Sequence, residues 1–135
     1  MIFPTLDQIV DLNQELINRY GGFHNGLDNL RNRGSLEWVL EAIQYPLFEN
    51  QIYPSIIEKA AILSWTINEG HVFHDGNKRT SVFIMLQFLR INGYQYISST
   101  AELRDISKII ATSKQNKFTY QDYIEWVKNR VQPKS

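Results

Sequence analysis

Residues 82–91 read VFIMLQFLRI. At helical spacing, Val82, Phe83, Ile84, Met85, Leu86, Phe88, Leu89 and Ile91 cover nearly the whole circumference of the helix they would form. A helix apolar on most sides has to be wrapped by other elements, so the rest of the chain must supply apolar faces that close around it. The residues just before it are the opposite in character. HVFHDGNKRT, residues 71–80, holds two histidines, an aspartate, a glycine and two cations.

The wrapping segments are also helical by spacing. Thr5 caps a first helix with Leu6, Ile9, Val10, Leu16, Ile17 and Tyr20 on one face, and Gly21-Gly22 stops it. A polar, glycine-bearing loop runs through Gly34. Ser35 then caps LEWVLEAIQY, which ends before Pro46. Ser55 and Glu58 make a capping box for a helix that closes at Gly70. The apolar helix starts near Asn77 and stops at Asn92-Gly93. Ser99 and Glu102 form another box, before a helix carrying Leu103, Ile106, Ile109 and Ile110. Thr119 and Asp122 open the last, with Tyr123, Ile124, Val127 and Val131 facing inward. YQYIS at 94–98 is short and has no evident partner strand. The expectation is an all-α, single-domain bundle over residues 1–135, of about six helices around a buried central one.

Composition narrows the function classes. Hydrophobic residues make up 43% of the chain, too many for disorder. Fourteen basic residues balance fourteen acidic ones, which argues against a dedicated nucleic-acid binder. The absence of cysteine removes disulfides, thiolate zinc sites and cysteine nucleophiles. Asp7, Asp11 and Glu15 interrupt the first apolar pattern, no basic export region precedes it, and no apolar run is long enough to span a bilayer. A cytoplasmic protein without membrane contact is expected.

The 71–80 segment carries the chemistry. Lys78 and Arg79 sit in the first turn of a helix, beside the positive end of its dipole, where cations are unfavourable unless an anion joins them. A phosphate satisfies all of these groups. Gly76 lets backbone approach it, the amides from Asn77 onward point at it, and Lys78 and Arg79 add formal charge. Asp75 beside such a site calls for an intervening cation, and Mg²⁺ is held in this way by one or two carboxylates plus phosphate oxygens. His71 is the side chain whose titration range suits proton transfer near neutrality. Taken singly, each is a common turn, cap or surface residue; the ordered set points to transfer of a phosphorus group onto a hydroxyl. Phe73 reads as a core anchor for the loop, and His74 as exposed or packed.

The segment resembles the signature of the Fic/Doc family, H-x-F-x-[D/E]-[G/A]-N-[G/K]-R, with His71, Phe73, Asp75, Gly76, Asn77, Lys78 and Arg79 in register. LRNRGSLEWVLEA, YPSIIEKAAIL and FLRINGY extend the similarity over essentially the whole chain. The resemblance implies roles: His71 as general base, Asp75 as Mg²⁺ ligand, and Gly76, Asn77, Lys78 and Arg79 as the phosphate cradle for ATP. It also implies the Doc branch, which has lysine at the position of Lys78. Members with glycine there transfer AMP, whereas the Doc branch transfers the γ-phosphate to a threonine of elongation factor Tu as a toxin neutralised by an antitoxin. Two residues depart from the family pattern: Val72 stands where proline is common, and His74 where an apolar residue is.

Self-inhibiting relatives carry [S/T]-x-x-x-E-[G/N]. The nearest approaches here, TINEG at 66–70 and SSTAEL at 98–103, do not match, so an inhibitor is expected in trans. Competing readings are AMP transfer, an inactive binding module, and an HD-type metal phosphohydrolase built on His74-Asp75. The last is disfavoured by Gly76 directly after the pair and by His24 being the one histidine outside the loop.

Overall fold

Side-chain caps decide where most helices of this chain begin. The structure, a computed structural model, describes residues 1–22, 26–45 and 50–135; His24 and Pro46 lie outside the described residues. The helices are α1 (Leu6–Tyr20), α2 (Arg33–Gln44), α3 (Ile56–Glu69), α4 (Asn77–Ile91), α5 (Thr100–Ala111), α6 (Ser113–Asn116) and α7 (Tyr120–Lys128), with a 3₁₀ turn at Gly26–Asn29. Reciprocal capping boxes open α1 at Thr5 and Gln8, α5 at Ser99 and Glu102, and α7 at Thr119 and Asp122. At α3 the structure shows one half of the expected box, the Ser55 hydroxyl accepting from the Glu58 amide. The cap of α2 is Asn32 rather than Ser35. Its Oδ1 accepts from the Ser35 amide, and its own amide donates to the distant Val72 carbonyl. That second bond is tertiary and leaves no trace in the local pattern.

The all-α expectation holds, with α4 packed among α3, α1 and α5. Two apolar clusters meet at the α3–α4 pair. One gathers residues of α1, α2 and α3 with Val72, Phe73 and Ile84; the other gathers α3, α5 and α7 with Met85, Phe88 and Leu89. The deepest helix is nonetheless α3, with nine of its fourteen residues buried against six of fifteen in α4. Small Ala60, Ala61 and Ser64 on α3 let its neighbours approach closely. Ile91 stays 47% exposed, and Val82, Phe83 and Leu86 are half-buried, so α4 keeps one apolar flank open to a groove. Ile109 and Tyr20, expected inward, are also exposed.

The YQY segment does have a partner. β1 (Tyr94–Tyr96) pairs antiparallel with β2 (Val131–Pro133), Tyr96 opposite Val131. The mate lies after three further helices, which is why local spacing missed it. Lys134 extends the attachment by donating its amide to the Gly93 carbonyl and its Nζ to the Arg90 carbonyl.

Two buried polar side chains tie the helices together. Lys59 donates to the Ile43 carbonyl at 2.8 Å, the Gln51 Oε1 at 3.0 Å and the Tyr53 carbonyl at 2.6 Å. Ile43 is in the last turn of α2, where carbonyls lack helical partners and a cation complements the dipole. Burial pulls the Lys59 ammonium below its ordinary pKa. Tyr123 is fully buried, with its hydroxyl 2.9 Å from the Ser64 Oγ and 3.1 Å from the Met85 Sδ, joining α7 to α3 and α4. No described helix is long and apolar enough to cross a membrane.

Burial pushes the Tyr123 phenol above its usual pKa. The folded state therefore keeps a proton that the unfolded chain releases above about pH 10. Its stabilising contribution is complete below that value and declines as the pH climbs further. Tyr123→Phe is expected to cost about 1 kcal/mol at neutral pH through the lost hydroxyl contacts. It should also flatten the alkaline fall in stability, read from urea unfolding at pH 7 and pH 10.5.

Candidate active site

The end of α3 sets the position of His71. Gly70 has ordinary helical φ, and the left-handed residue is His71, at φ +47°. The His71 amide donates to the Asn68 carbonyl and the Val72 amide to the Ile67 carbonyl. This is the Schellman termination of a helix, in which glycine usually takes the left-handed position. Its hydrophobic clasp is present too, since Ile67 and Val72 are both buried in one cluster. Gly70 is needed for a different reason: a Cβ there would lie 2.5 Å from the Thr66 carbonyl oxygen. A histidine in this conformation costs about 1–2 kcal/mol relative to glycine. Val72, where the family pattern often has proline, supplies an amide donor that proline lacks.

The cap also fixes the imidazole. Nδ1 lies 2.9 Å from the Asn68 carbonyl oxygen. A carbonyl only accepts, so Nδ1 carries the hydrogen and Nε2 keeps the lone pair. The exposed ring is thereby set in the tautomer that a proton acceptor requires.

Three buried polar side chains then hold the loop that follows. Asn29 accepts from the Asp75 amide at 2.9 Å and donates to the Asp75 carbonyl at 3.0 Å. Asn13 on α1 donates to the same carbonyl and to the Thr80 Oγ1, both at 3.1 Å, and accepts from Asn29 at 2.6 Å. Asn13, Asn29 and Thr80 are all buried. The backbone adds to the grip: the Val72 carbonyl accepts from the Arg31 and Asn32 amides, the His74 amide donates to the Asn29 carbonyl, and Leu30 forms an isolated antiparallel bridge with Phe73. Phe73 is buried, the anchor expected of it, while His74 is exposed. The sequence reading passed over Asn13 and Asn29. For Asn13 a signal existed, a polar residue at helical spacing between Ile9 and Ile17 on the inward face of α1. Asn29, in a 3₁₀ turn, gave none.

Gly76 ends the loop at φ +82° and is the N-cap of α4. A Cβ there would meet the Asn13 Nδ2 at 2.9 Å and the Ile17 Cδ1 at 3.1 Å. Its missing side chain thus makes room for α1, while its backbone lines the groove described next. With glycine as cap, no side chain among the described residues bonds the first amides of α4, whereas α1, α2, α3, α5 and α7 each have a side-chain cap. The Asn77 carboxamide bridges back to Phe73, accepting from its amide at 2.9 Å and donating to its carbonyl at 2.7 Å. It shapes the turn, and what Asn77 presents to an anion is its backbone amide.

Asp75, Gly76, Asn77, Lys78 and Arg79 line one groove of about 640 Å³ between α4 and α5. Arg104 and Lys108 of α5 bring two further cations, and Val82, Phe83, Leu86 and Leu103 give it an apolar wall. The Arg79 guanidinium rests over the Tyr20 ring, 4.4 Å from its centroid, a cation–π contact that holds it at the loop. His71 lines a separate cavity of about 380 Å³ with Arg31, Glu69, Thr112 and Lys114. Helix α5 borders both, through Ser107 and Lys108 in the groove and Ala111 in the second cavity. The six expected site residues therefore fall into five that share the groove and one, His71, that lines a separate cavity.

No set of three or more His, Asp or Glu side chains among the described residues forms a metal cage. A single carboxylate at the mouth of an amide-lined groove fits Mg²⁺ that arrives on phosphate oxygens and keeps waters for its remaining positions. Asp75 is the residue that would hold it.

The profile of the Fic/DOC family matches residues 3–89. The chain is 32% identical over 108 residues to "Protein kinase doc" of Escherichia phage P1, covering 80% of this chain and 81% of that protein. It is 35% identical over 66 residues to "Toxin Doc" of Mycolicibacterium smegmatis (strain ATCC 700084 / mc(2)155), covering 49% of this chain and 51% of that protein.

Asn29→Ala removes the acceptor of the Asp75 amide and two donors inside the clamp. It is expected to destabilise the fold by about 1–3 kcal/mol. Hydrogen exchange at the Asp75 amide should accelerate far more than at amides within α7. Equal acceleration at both places would mean that the carboxamide does not hold the loop.

Proposed function

This chain belongs to the Fic/DOC family, and from that premise we propose that it is the toxin of a toxin–antitoxin pair, a kinase that passes the γ-phosphate of ATP to a serine or threonine hydroxyl of a protein. The observation that carries the reading is the uncapped start of α4. Its amides, Lys78 and Arg79 gather around one groove with Asp75 at the edge. Phosphoryl transfer asks little covalent chemistry of a protein; positioning and neutralisation of the phosphates do most of the work. The γ-phosphate rather than AMP is favoured because position 78 is lysine, as in the Doc branch that the chain resembles.

In the proposed step the acceptor oxygen forms a bond to the γ-phosphorus. The bond from that phosphorus to the bridging oxygen breaks, and ADP leaves with its electron pair. The hydroxyl proton passes to the Nε2 of His71. Asn68, by accepting from Nδ1, stabilises the imidazolium that results. Lys78 and Arg79 offset the phosphate charge, and the first-turn amides of α4 orient the oxygens. Asp75 would hold Mg²⁺ arriving with the nucleotide, and the ion would supply further charge neutralisation. The acceptor suggested by the resemblance is a threonine of elongation factor Tu, so that transfer would arrest translation, and the inhibitor would be an antitoxin supplied in trans.

Incubation with Mg²⁺, a bacterial lysate and ATP labelled at either the α- or the γ-phosphate separates the two group transfers. Label from the γ position is expected in protein; label from the α position would establish AMP transfer in its place. His71→Ala should lower transfer by about 10²–10⁴-fold and relieve growth arrest while leaving antitoxin binding intact. An unchanged phenotype would favour a binding module over an enzyme. Lys78→Gly is expected to reduce γ-transfer, and an undiminished rate would remove Lys78 from its assigned role.

A further inference from the structure

The cavity of about 380 Å³ beside the base differs in kind from the phosphate groove. Among the described residues it has no apolar wall of the sort that Val82, Phe83 and Leu86 give the groove, and its lining comes from the loop ahead of α2, the end of α3 and the α5–α6 junction. His71 faces it, whereas Asp75 to Arg79 face the groove. A hydroxyl that gives its proton to His71 while attacking phosphorus in the groove can reach the imidazole from this second side.

Its charges are distinctive. Arg31 and Lys114 stand in it against one carboxylate, Glu69. Neither cation takes part in the four ion pairs found among the described residues, in contrast to Arg33, which is paired with Glu37 two residues further along the same segment. Arg31 is also placed rather than loose. Its Nη1 lies 3.3 Å from the His71 carbonyl oxygen and its amide donates to Val72, which puts the guanidinium beside the residue that carries the base. The remaining guanidinium hydrogens form a planar fork suited to a carboxylate. Lys114, on α6, adds a second charge on a more flexible stem.

We infer that this cavity is the acceptor subsite and that it selects a protein segment carrying an acidic residue next to the hydroxyl to be modified, with Arg31 as the main determinant and Lys114 as the second. The inference rests on the phosphotransfer reading for what happens to the hydroxyl; the charge selection stands on the cavity itself.

Two measurements separate the two claims. Fluorescence anisotropy with threonine-centred peptides, flanked by aspartate and glutamate or by lysine and arginine, reads docking without nucleotide. The acidic set is expected to bind about fivefold tighter, with the difference shrinking as salt is raised. Arg31→Glu combined with Lys114→Glu should reverse the preference. Lys114→Glu alone, at an exposed position on a four-residue helix, should weaken it without touching the loop. Equal binding of the two sets, no binding, or a preference that survives both variants would overturn the inference. The same peptides with γ-labelled ATP and Mg²⁺ then read transfer. Acid-selective docking without incorporated label would overturn the transfer reading while leaving the subsite in place; label entering both sets alike would do the reverse.

Discussion

Both backbone polar groups of Asp75 are gripped by side chains from outside its own loop. Asn29 takes the amide and reaches the carbonyl, and Asn13 reaches the same carbonyl from α1. These groups are buried, where an unpaired amide or carbonyl costs far more than at the surface, so the arrangement is held nearly all or none. Everything that matters in the site is built outward from this point. One residue further on, Gly76 turns with positive φ in space that Asn13 and Ile17 leave to it, and Thr80, one helical turn later, is bonded to Asn13 as well. The loop and the first turn of α4 are thereby locked to α1 as one unit.

The locked unit explains how the chain tolerates a helix start without a side-chain cap. At α1, α2, α3, α5 and α7, Thr, Ser and Asn side chains satisfy one of the orphan amides, and the four-residue α6 is the other helix without such a cap among the described residues. At α4 the cap position is taken by glycine, and the carboxamide of Asn77, which could have served nearby, is turned back to Phe73. The helix is held by tertiary bonds instead, which leaves its positive end directed at the groove. Cations at that end are locally unfavourable. Arg79 is partly compensated by the Tyr20 ring, and the balance is what an anionic ligand would supply.

Much of this was legible in the sequence because caps and helix periodicity are local. Thr5, Ser99 and Thr119 open helices as their spacing to Gln8, Glu102 and Asp122 requires. The loop from His71 to Arg79 was legible as a set of charges around a glycine, since no bland arrangement accounts for all of them together. The features that escaped depend on distant partners. The start of α2 is fixed by a bond from Asn32 to Val72. The strand at 94–96 is made by residues 131–133. The depth of α3 follows from small residues that score weakly on any hydrophobic scale, while bulkier α4 keeps a flank in the groove. The closeness of α1 to Gly76 also escaped, because the direction of a missing Cβ cannot be read from a one-dimensional string.

The Schellman termination at His71 sets folding and chemistry against each other at a single backbone position. Glycine would relax the left-handed dihedral there and is the residue most helices choose. The chain instead keeps a ring whose orientation depends on the last turn of its most deeply buried helix. Evolution toward greater robustness would drift toward glycine at this site and lose the imidazole proposed as the proton acceptor. A library selected only for thermal endurance would accordingly be enriched in variants that have lost the ring at residue 71.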